Sequence, residues 1–260
     1  MKRKKKTGKM IALLLLTVSI CAISVCGYKL WETQRIYQIG NECYSDLAVR
    51  VHPTRPSGGA EPDKVPDVEI PDMNIDYDVL KKTNNDTAAW LYSPGTVIDY
   101  PVMKAADYDY YLHHLPDGTY NANGTLFIDY NNAPDFSDKL TVIYGHHMRS
   151  GAMFGSLKGY KGQAYFEEHP YMYLYTENGN YRIDLIYGCV IGEGKWRERA
   201  FMYETNVDAL LSYAAQNTTF ISGVQYAEGD RIVAMSTCSY EFNGARYVVL
   251  GVLKPEYIGN

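Results

Sequence analysis

The order of apolar and polar positions divides the chain into three parts. Residues 10–28 form an apolar run without charge, and this run follows a strongly basic start. Residues 51–72 contain five prolines and two glycines, a composition typical of an extended linker. From about residue 75 onward, short apolar segments alternate with turn-forming residues, which indicates a folded domain.

Within that domain, most apolar segments are short and rich in residues that favour β-strands. Strands are expected at residues 90–92, 97–102, 124–128, 140–144, 171–175, 181–191, 231–235 and 246–253. The residues from Glu177 to Asn180 are typical of a hairpin turn. Helical patterns are expected at residues 76–83, 154–167 and 206–216. Seven or eight short strands with few helices predict a mainly β fold, built as a closed or nearly closed barrel.

The start of the chain is typical of an export signal that stays in the membrane. Residues 1–9 carry six basic side chains, which remain in the cytoplasm according to the positive-inside rule. The apolar run at 10–28 is long enough to cross a bilayer as a helix, which takes about 20 residues. We therefore expect a single-pass anchor in the cell membrane, with the rest of the chain on the extracellular face.

A cleaved signal peptide is the alternative for this segment. Its apolar region usually has roughly 7–15 residues, which is shorter than the run here, and the cleavage site around Ala22 is weak. Residues 29–50 are predicted to form a helix that leaves the membrane, with Tyr28 and Trp31 suited to the interfacial belt. The expected organisation is a cytoplasmic segment at 1–9, an anchor at 10–28, a helical and Pro-rich spacer at 29–74 and a folded domain at 75–260.

Composition and cysteine usage narrow the range of functions. A hydrophobic fraction of 46% and a charged fraction of 21% are typical of a folded globular protein. The net charge of −5 gives no sign of the basic face that a nucleic-acid binder needs. No cysteines form a CxxC pair, so a zinc knuckle or a thioredoxin motif is not expected, and an odd number leaves at least one thiol unpaired unless chains cross-link. The five are Cys21, Cys26, Cys43, Cys189 and Cys238.

Three residues of the domain combine into a candidate catalytic group. His146 follows an apolar strand and a glycine. Cys238 comes directly after another apolar strand, and Arg246 opens the next one. The thiolate is the reactive form of cysteine, and a nearby imidazole or cation favours it. If the last two strands are antiparallel neighbours, Cys238 and Arg246 face each other across a hairpin. Because arginine stays protonated, Arg246 would hold a carbonyl oxygen or a developing oxyanion.

The residues around this group resemble the sequence motifs of sortases, and of class B sortases in particular. The His motif is matched by YGHHM at residues 144–148, and the Cys motif by STCSYEF at residues 236–242, with Arg246 following. Further similarity to class B lies in residues 89–96, 98–102, 110–114, 135–138 and 151–155. The resemblance covers about residues 75–253, and the anchor and spacer also suit a sortase.

The resemblance implies an eight-stranded sortase-type β-barrel with an N-terminal helix and additional short helices. It implies a cysteine transpeptidase without a cofactor, which cleaves a C-terminal sorting signal of secreted proteins after Thr through a thioacyl intermediate. An amine of cell-wall peptidoglycan, or of its lipid-linked precursor, then takes up the acyl group. The sorting sequence, the physiological substrate and the acceptor amine stay open.

The resemblance also assigns roles to single residues. Carried over by position, Cys238 is the nucleophile, His146 is the acid and base, and Arg246 stabilises the carbonyl oxygen. The positions that line the substrate groove are Ser236, Thr237 and Leu112.

Two positions depart from the family pattern. Ala234 and Met235 stand where the family usually has Thr and Leu, and Met keeps the bulk of Leu, so packing is expected to change little. Tyr108 stands where class B members often have Asn, which changes the polarity of the substrate pocket.

Other functions would use these residues differently. The His-His pairs at 113–114 and 146–147 could suggest a metal site. Adjacent residues of a strand point to opposite faces, however, so no metal is expected.

An L,D-transpeptidase also uses Cys, His and Arg, but it normally shows Ser-His-Gly-Cys, whereas Ser and Thr precede Cys238 here. A pilin-polymerising sortase and a non-catalytic wall-binding module on a membrane stalk are the remaining alternatives.

Overall fold

The structure is a computed structural model that describes residues 2–52, 73–198 and 207–255. Most of the predicted Pro-rich linker therefore lies outside the described residues. The strands are β1 Thr87–Tyr92, β2 Asp99–Lys104, β3 Leu126–Ile128, β4 Leu140–Tyr144, β5 Tyr171–Thr176, β6 Gly179–Gly192, β7 Arg231–Cys238 and β8 Ala245–Pro255. The helices are α1 Lys2–Val51, α2 Tyr77–Thr83, α3 Gln163–Glu168, α4 Glu193–Trp196 and α5 Val207–Gln216, with 3-10 helices at Tyr110–Leu112 and Phe154–Lys161.

The eight strands close into a barrel in the order β1-β2-β3-β4-β7-β8-β6-β5. The pairs β2–β3 and β4–β7 are parallel, and the other pairs are antiparallel. The predicted eight-stranded barrel with an N-terminal helix and short helices is thus confirmed. Of its details, the parallel pair β4–β7 matters most for the chemistry, because it brings the segment after β4 beside the segment after β7.

Strands β7 and β8 are buried on both of their faces, which explains their nearly continuous apolar sequences. Val233 and Met235 of β7 point into the barrel and belong to its interior cluster. Ile232 and Ala234 point outward and pack in a second cluster under α5 and Trp196. Since side chains of a strand alternate between faces, this two-sided burial fixes the face on which each later residue of β7 emerges.

The predicted helix at 154–167 is instead a 3-10 helix, Phe154–Lys161, followed by the short α3. Glycines explain the difference, because Gly155, Gly159 and Gly162 interrupt the segment and glycine weakens a helix interior. A Cβ at Gly155 would come within 2.5 Å of the Met148 carbonyl oxygen. The close packing of this segment against the loop after β4 therefore requires glycine there.

Helix α1 combines the predicted anchor and the predicted helical spacer in one continuous helix, Lys2–Val51. Within the described residues, it is the helix that is long and apolar enough to cross a membrane. Its last turns pack on the barrel, where Tyr44 donates a hydrogen bond to the carbonyl of Gly124 and lies 3.1 Å from Thr125 Oγ1. Leu47 and Val51 are buried against β1 and β5. The end of α1 is therefore part of the packed structure.

Candidate active site

The nucleophile candidate and the arginine candidate lie opposite each other in the β7–β8 ladder. Cys238, the last residue of β7, pairs with Arg246 of β8, as the predicted hairpin required. Directly opposite residues of an antiparallel pair project from the same face, with Cβ atoms about 5 Å apart. Cys238 is exposed, and the Arg246 side chain is 20% exposed. The thiol and the guanidinium therefore share one face of the sheet.

His146 reaches the same place from the parallel neighbour. Tyr144 of β4 pairs with Ser236 of β7, and the Gly145 N–H donates to the Ser236 carbonyl at 3.2 Å. His146, two residues beyond Tyr144, therefore lies level with Cys238, two residues beyond Ser236. Alternation along β7 places the Cys238 side chain on the outward face, the face that Tyr144 of β4 also shares. The structure thus brings together all three predicted catalytic residues.

Gly145 permits this approach because it leaves room for its neighbours. A Cβ at this position would lie 2.4 Å from Leu126 Cδ2 and 2.7 Å from Phe154 Cδ2. Thr237 Oγ1 donates to the Gly145 carbonyl at 2.8 Å. The chain before His146 is thereby fixed to the chain before Cys238.

A backbone carbonyl orients the ring of His146. Its Nε2 lies 2.7 Å from the Leu112 carbonyl oxygen. A carbonyl can only accept a hydrogen bond, so Nε2 carries the proton and Nδ1 is left for proton exchange. Burial lowers the pKa of His146, and the neighbouring His113 lowers it further, although the bond to Leu112 opposes this in part. The net effect favours the neutral form of His146.

His147 is used in a different way. Its Nδ1 lies 2.7 Å from the carbonyl oxygen of Cys238, and its ring packs edge to face with Tyr240 at a centroid distance of 4.9 Å. His147 thus supports the backbone at Cys238 and the loop that follows it. The two adjacent histidines therefore bond to different segments, His146 to the carbonyl of Leu112 and His147 to that of Cys238.

Only some of the hydrogen-bond donors of the Arg246 guanidinium have a partner among the described residues. Its Nη2 lies 3.4 Å from Glu193 Oε1, whereas its Nε is buried and has no hydrogen-bond partner among the described residues. A buried donor without a partner is costly unless a ligand supplies the acceptor. The guanidinium can therefore still donate to an oxygen bound above Cys238.

The residues predicted to line the substrate groove have different environments. Ser236 and Thr237 are both 1% exposed, so their side chains belong to the barrel wall. Leu112 is half-buried, and its carbonyl group holds His146. Tyr108, at the position of the family's Asn, donates to Asp129 Oδ2 at 2.9 Å, and Tyr144 donates to the same oxygen at 3.1 Å. Substrate contacts of the three groove residues stay a prediction.

The sequence motifs did not indicate a set of charged residues that hold the β7–β8 loop. Lys161, at the end of its 3-10 helix, contacts the Glu241 carboxylate and donates to Ser239 Oγ at 3.1 Å. At the start of the same helix, the Phe154 N–H donates to the His146 carbonyl at 3.1 Å. The 3-10 helix Phe154–Lys161 therefore connects the segment that carries His146 with the β7–β8 loop. An isolated Lys and Glu far apart in sequence carry no signal of such a pair.

The geometry suits nucleophilic acyl transfer. An exposed thiol lies opposite a cationic donor in the β7–β8 ladder, and an imidazole follows the neighbouring strand β4. Covalent cysteine catalysis uses these three groups together. In the described part of the chain, no group of three or more His, Cys, Asp or Glu side chains could hold a metal ion.

Comparisons with known proteins agree with this geometry. No family model matches the chain. The chain is 31% identical over 257 residues to sortase B of Listeria monocytogenes, covering 97% of this chain and 99% of that protein. Clostridium perfringens sortase B has a similar structure, with a TM-score of 0.62 and 30% identity over 68% of this chain and 99% of that one. The Staphylococcus aureus sortase B-substrate complex has a TM-score of 0.63 and 24% identity over 69% and 84% of the two chains, which shows the fold alone. The chain belongs to the sortase B family and is a cysteine transpeptidase.

Proposed function

We propose that this sortase cleaves the C-terminal sorting signal of secreted proteins after Thr and attaches the proteins to a peptidoglycan amine. The observation that carries the proposal is the strand register, which sets Cys238 opposite Arg246 and level with His146. Membership in the sortase B family supports this proposal, and a related sortase B has been solved in a complex with a substrate.

In the first half-reaction, the Cys238 sulfur attacks the carbonyl carbon of the Thr residue. The thiol proton passes to His146 Nδ1, and Arg246 donates hydrogen bonds to the oxyanion that develops. The carbon–nitrogen bond then breaks, and His146 returns the proton to the leaving amine. The products are a thioester between Thr and Cys238 and the released signal peptide.

In the second half-reaction, an amine of peptidoglycan or of its lipid-linked precursor attacks the thioester. His146 takes a proton from the incoming nitrogen, and the Cys238 thiolate leaves and is reprotonated. A new amide bond replaces the thioester. Ser236, Thr237 and Leu112 are proposed to line the groove that holds the peptide, with Ser236 and Thr237 contributing through their backbone because their side chains are buried.

We propose the membrane arrangement on the basis of the first part of the chain. Residues 1–9 would lie in the cytoplasm and residues 10–28 in the membrane, with the spacer at 29–74 and the catalytic domain at 75–260 on the extracellular face. The exposed apolar surface of α1 supports this assignment. Mature protein should keep its N-terminus and fractionate with membranes, whereas N-terminal sequencing that begins after about residue 22 would show a cleaved signal.

Peptide cleavage tests the function directly. Full-length protein in detergent is incubated with a small library of sorting peptides, with and without amine acceptors, and products are identified by mass spectrometry. We expect cleavage after Thr, a thioester on Cys238 and an amide product that depends on the amine. Cys238→Ala should fold normally and give none of these. Appreciable turnover by Cys238→Ala would overturn the assignment.

A further inference from the structure

We propose that Glu193 is a positioning residue for Arg246, and that it holds the guanidinium in the orientation that receives the carbonyl oxygen of the substrate. The inference rests on the proposed role of Arg246 and adds a residue outside the three predicted catalytic positions. Glu193 opens α4, at the start of the connection from β6 to β7.

The backbone fixes Glu193 beside the arginine strand. The β6–β8 ladder pairs Ile191 with Arg246 and Gly192 with Ala245. The Glu193 N–H then donates to the Gly244 carbonyl at 2.7 Å. Glu193 thus extends the ladder by one step, and its distance from Arg246 is set by strand pairing.

The side chain of Glu193 lies over the end of the β7–β8 loop. A Cβ at Gly244 would lie 3.6 Å from both the Cβ and Oε2 of Glu193. Gly244 has a φ of +75°, a conformation that glycine adopts without strain. The Glu193 carboxylate therefore lies within van der Waals range of the residue that ends the loop before Arg246.

The charge pattern around Glu193 is suited to orienting Arg246 without fully occupying it. Glu193 Oε1 lies 3.4 Å from Arg246 Nη2 and also accepts from Arg197 Nη2. The Arg197 side chain is 68% exposed, and the Arg246 side chain is 20% exposed. Among the described residues, Glu193 is the carboxylate that pairs with Arg246. The pair engages one terminal nitrogen and leaves the buried Nε without a partner.

A long, flexible side chain needs such a contact to act as a directed donor. Arginine loses much rotamer freedom when it is held in one position. Its planar fork must also be aligned with the oxyanion for paired hydrogen bonds. Because Glu193 holds Nη2 before substrate binds, less ordering is required when the oxyanion forms. Loss of Glu193 should therefore lower kcat and leave KM nearly unchanged.

The test compares Glu193→Ala and Glu193→Gln with Glu198→Gln, an exposed carboxylate of the same connection. Steady-state cleavage of a fluorogenic sorting peptide by the full-length variants gives kcat and KM, and melting temperatures report folding. We expect Glu193→Ala to lower kcat about 10- to 100-fold with little change in KM. Glu193→Gln keeps an acceptor oxygen and should lose less, and Glu198→Gln should behave as wild type.

A double-mutant cycle separates positioning from a structural role. In an Arg246→Ala background there is no guanidinium to orient, so adding Glu193→Ala should cost less than about twofold. Equal losses in both backgrounds, or unchanged or increased turnover of Glu193→Ala in the wild-type background, would overturn the inference. If Arg246→Ala is inactive while Glu193→Ala is normal, the inference alone fails. If Arg246→Ala itself turns over normally, the proposed role of Arg246 fails with it.

Discussion

The two sides of the active site are built in different ways. Cys238 and Arg246 belong to one antiparallel hairpin, in which each residue has a defined partner in the ladder. His146 follows a strand that is parallel to β7, and its ring is oriented by the carbonyl of Leu112, 34 residues earlier in the chain. The hairpin side is held by local pairing and ion pairs, and the histidine side by long-range packing and a backbone carbonyl.

This difference determines which substitutions should impair each side of the site. A hairpin closes a short loop, so its geometry costs little chain entropy and tolerates changes elsewhere. The orientation of His146 requires that the segment at Tyr110–Leu112, β4 and β7 are all in place. The hairpin side should therefore be sensitive to charge substitutions, and the histidine side to substitutions that alter proton exchange. Five experiments can break or sharpen this contrast.

The largest effect is expected for the two adjacent histidines. His146→Ala removes the only group proposed to exchange protons with Cys238 and should abolish peptide cleavage. His147→Ala removes a bond to the Cys238 carbonyl and should leave clear residual activity. Both variants are compared in steady-state assays, with melting temperatures as the folding control. The reverse order of activities would refute the assignment of roles but not the fold.

The next effect concerns Arg246 and separates its charge from its geometry. A guanidinium offers a fixed fork of donors, which Lys cannot reproduce. Loss of one oxyanion donor costs about 100- to 1000-fold in turnover in other enzymes. We expect a loss in that range for both Arg246→Ala and Arg246→Lys, with little change in melting temperature. Near-normal turnover of Arg246→Lys would reject the hydrogen-bonding role.

A smaller effect is expected when the β7–β8 loop is released from its ion pair. Lys161→Met removes the contacts with Ser239 and Glu241 and should lower kcat by about threefold to tenfold, because small displacements of a nucleophile are costly. Lys158→Met, an exposed lysine of the same 3-10 helix, is the matched control. A full loss of activity in Lys158→Met would show that helix integrity, and not the ion pair, is being measured.

The same pair should show a defined pH dependence of stability. Burial alone would raise the pKa of Glu241, but hydrogen bonds from Lys161 and Ser239 outweigh it and lower the pKa from 4.5 to about 2. The pair therefore stabilises the fold above pH 4.5, and this contribution is lost as pH falls toward 2. Since both side chains are about a third exposed, it should be below about 1 kcal/mol. The gap in melting temperature between wild type and Lys161→Met should close over this range.

The smallest effect belongs to the histidine side. The His113 ring lies 6.2 Å from the His146 ring and contributes to the lowered pKa of His146. His113→Ala removes the neighbour that lowers the pKa of His146, so this pKa should rise. Histidine resonances followed by NMR across a pH titration measure this directly, and the corresponding inflection in the cleavage rate should also move to higher pH. A shift to lower pH would contradict the electrostatic explanation.

The sequence predicts the hairpin side better than the histidine side, and the reasons are physical. Strand alternation and turn residues are local signals, so the strands and the Cys238–Arg246 pairing could be predicted. The carbonyl that orients His146 belongs to Leu112, and any residue type supplies a carbonyl, so no sequence pattern indicates it. The pairs Lys161–Glu241 and Glu193–Arg246 form only after the barrel closes. Lys161, Glu241 and Glu193 are ordinary charged residues in the sequence, and the sequence context of Arg246 does not indicate its acidic partner.

The continuity of α1 has a consequence for where the enzyme can work. The helix contains the apolar run at residues 10–28, continues without a break and packs on the barrel through Tyr44. From Tyr28 to Tyr44 it measures about 24 Å at 1.5 Å per residue. In the proposed membrane orientation, a rod of this kind holds the barrel at a nearly constant height, whereas a flexible tether would let it sample a wide volume. Cys238 would then lie at a fixed distance from the membrane surface. Only a sorting signal presented at that distance could reach it, so this distance would restrict which exported proteins are substrates.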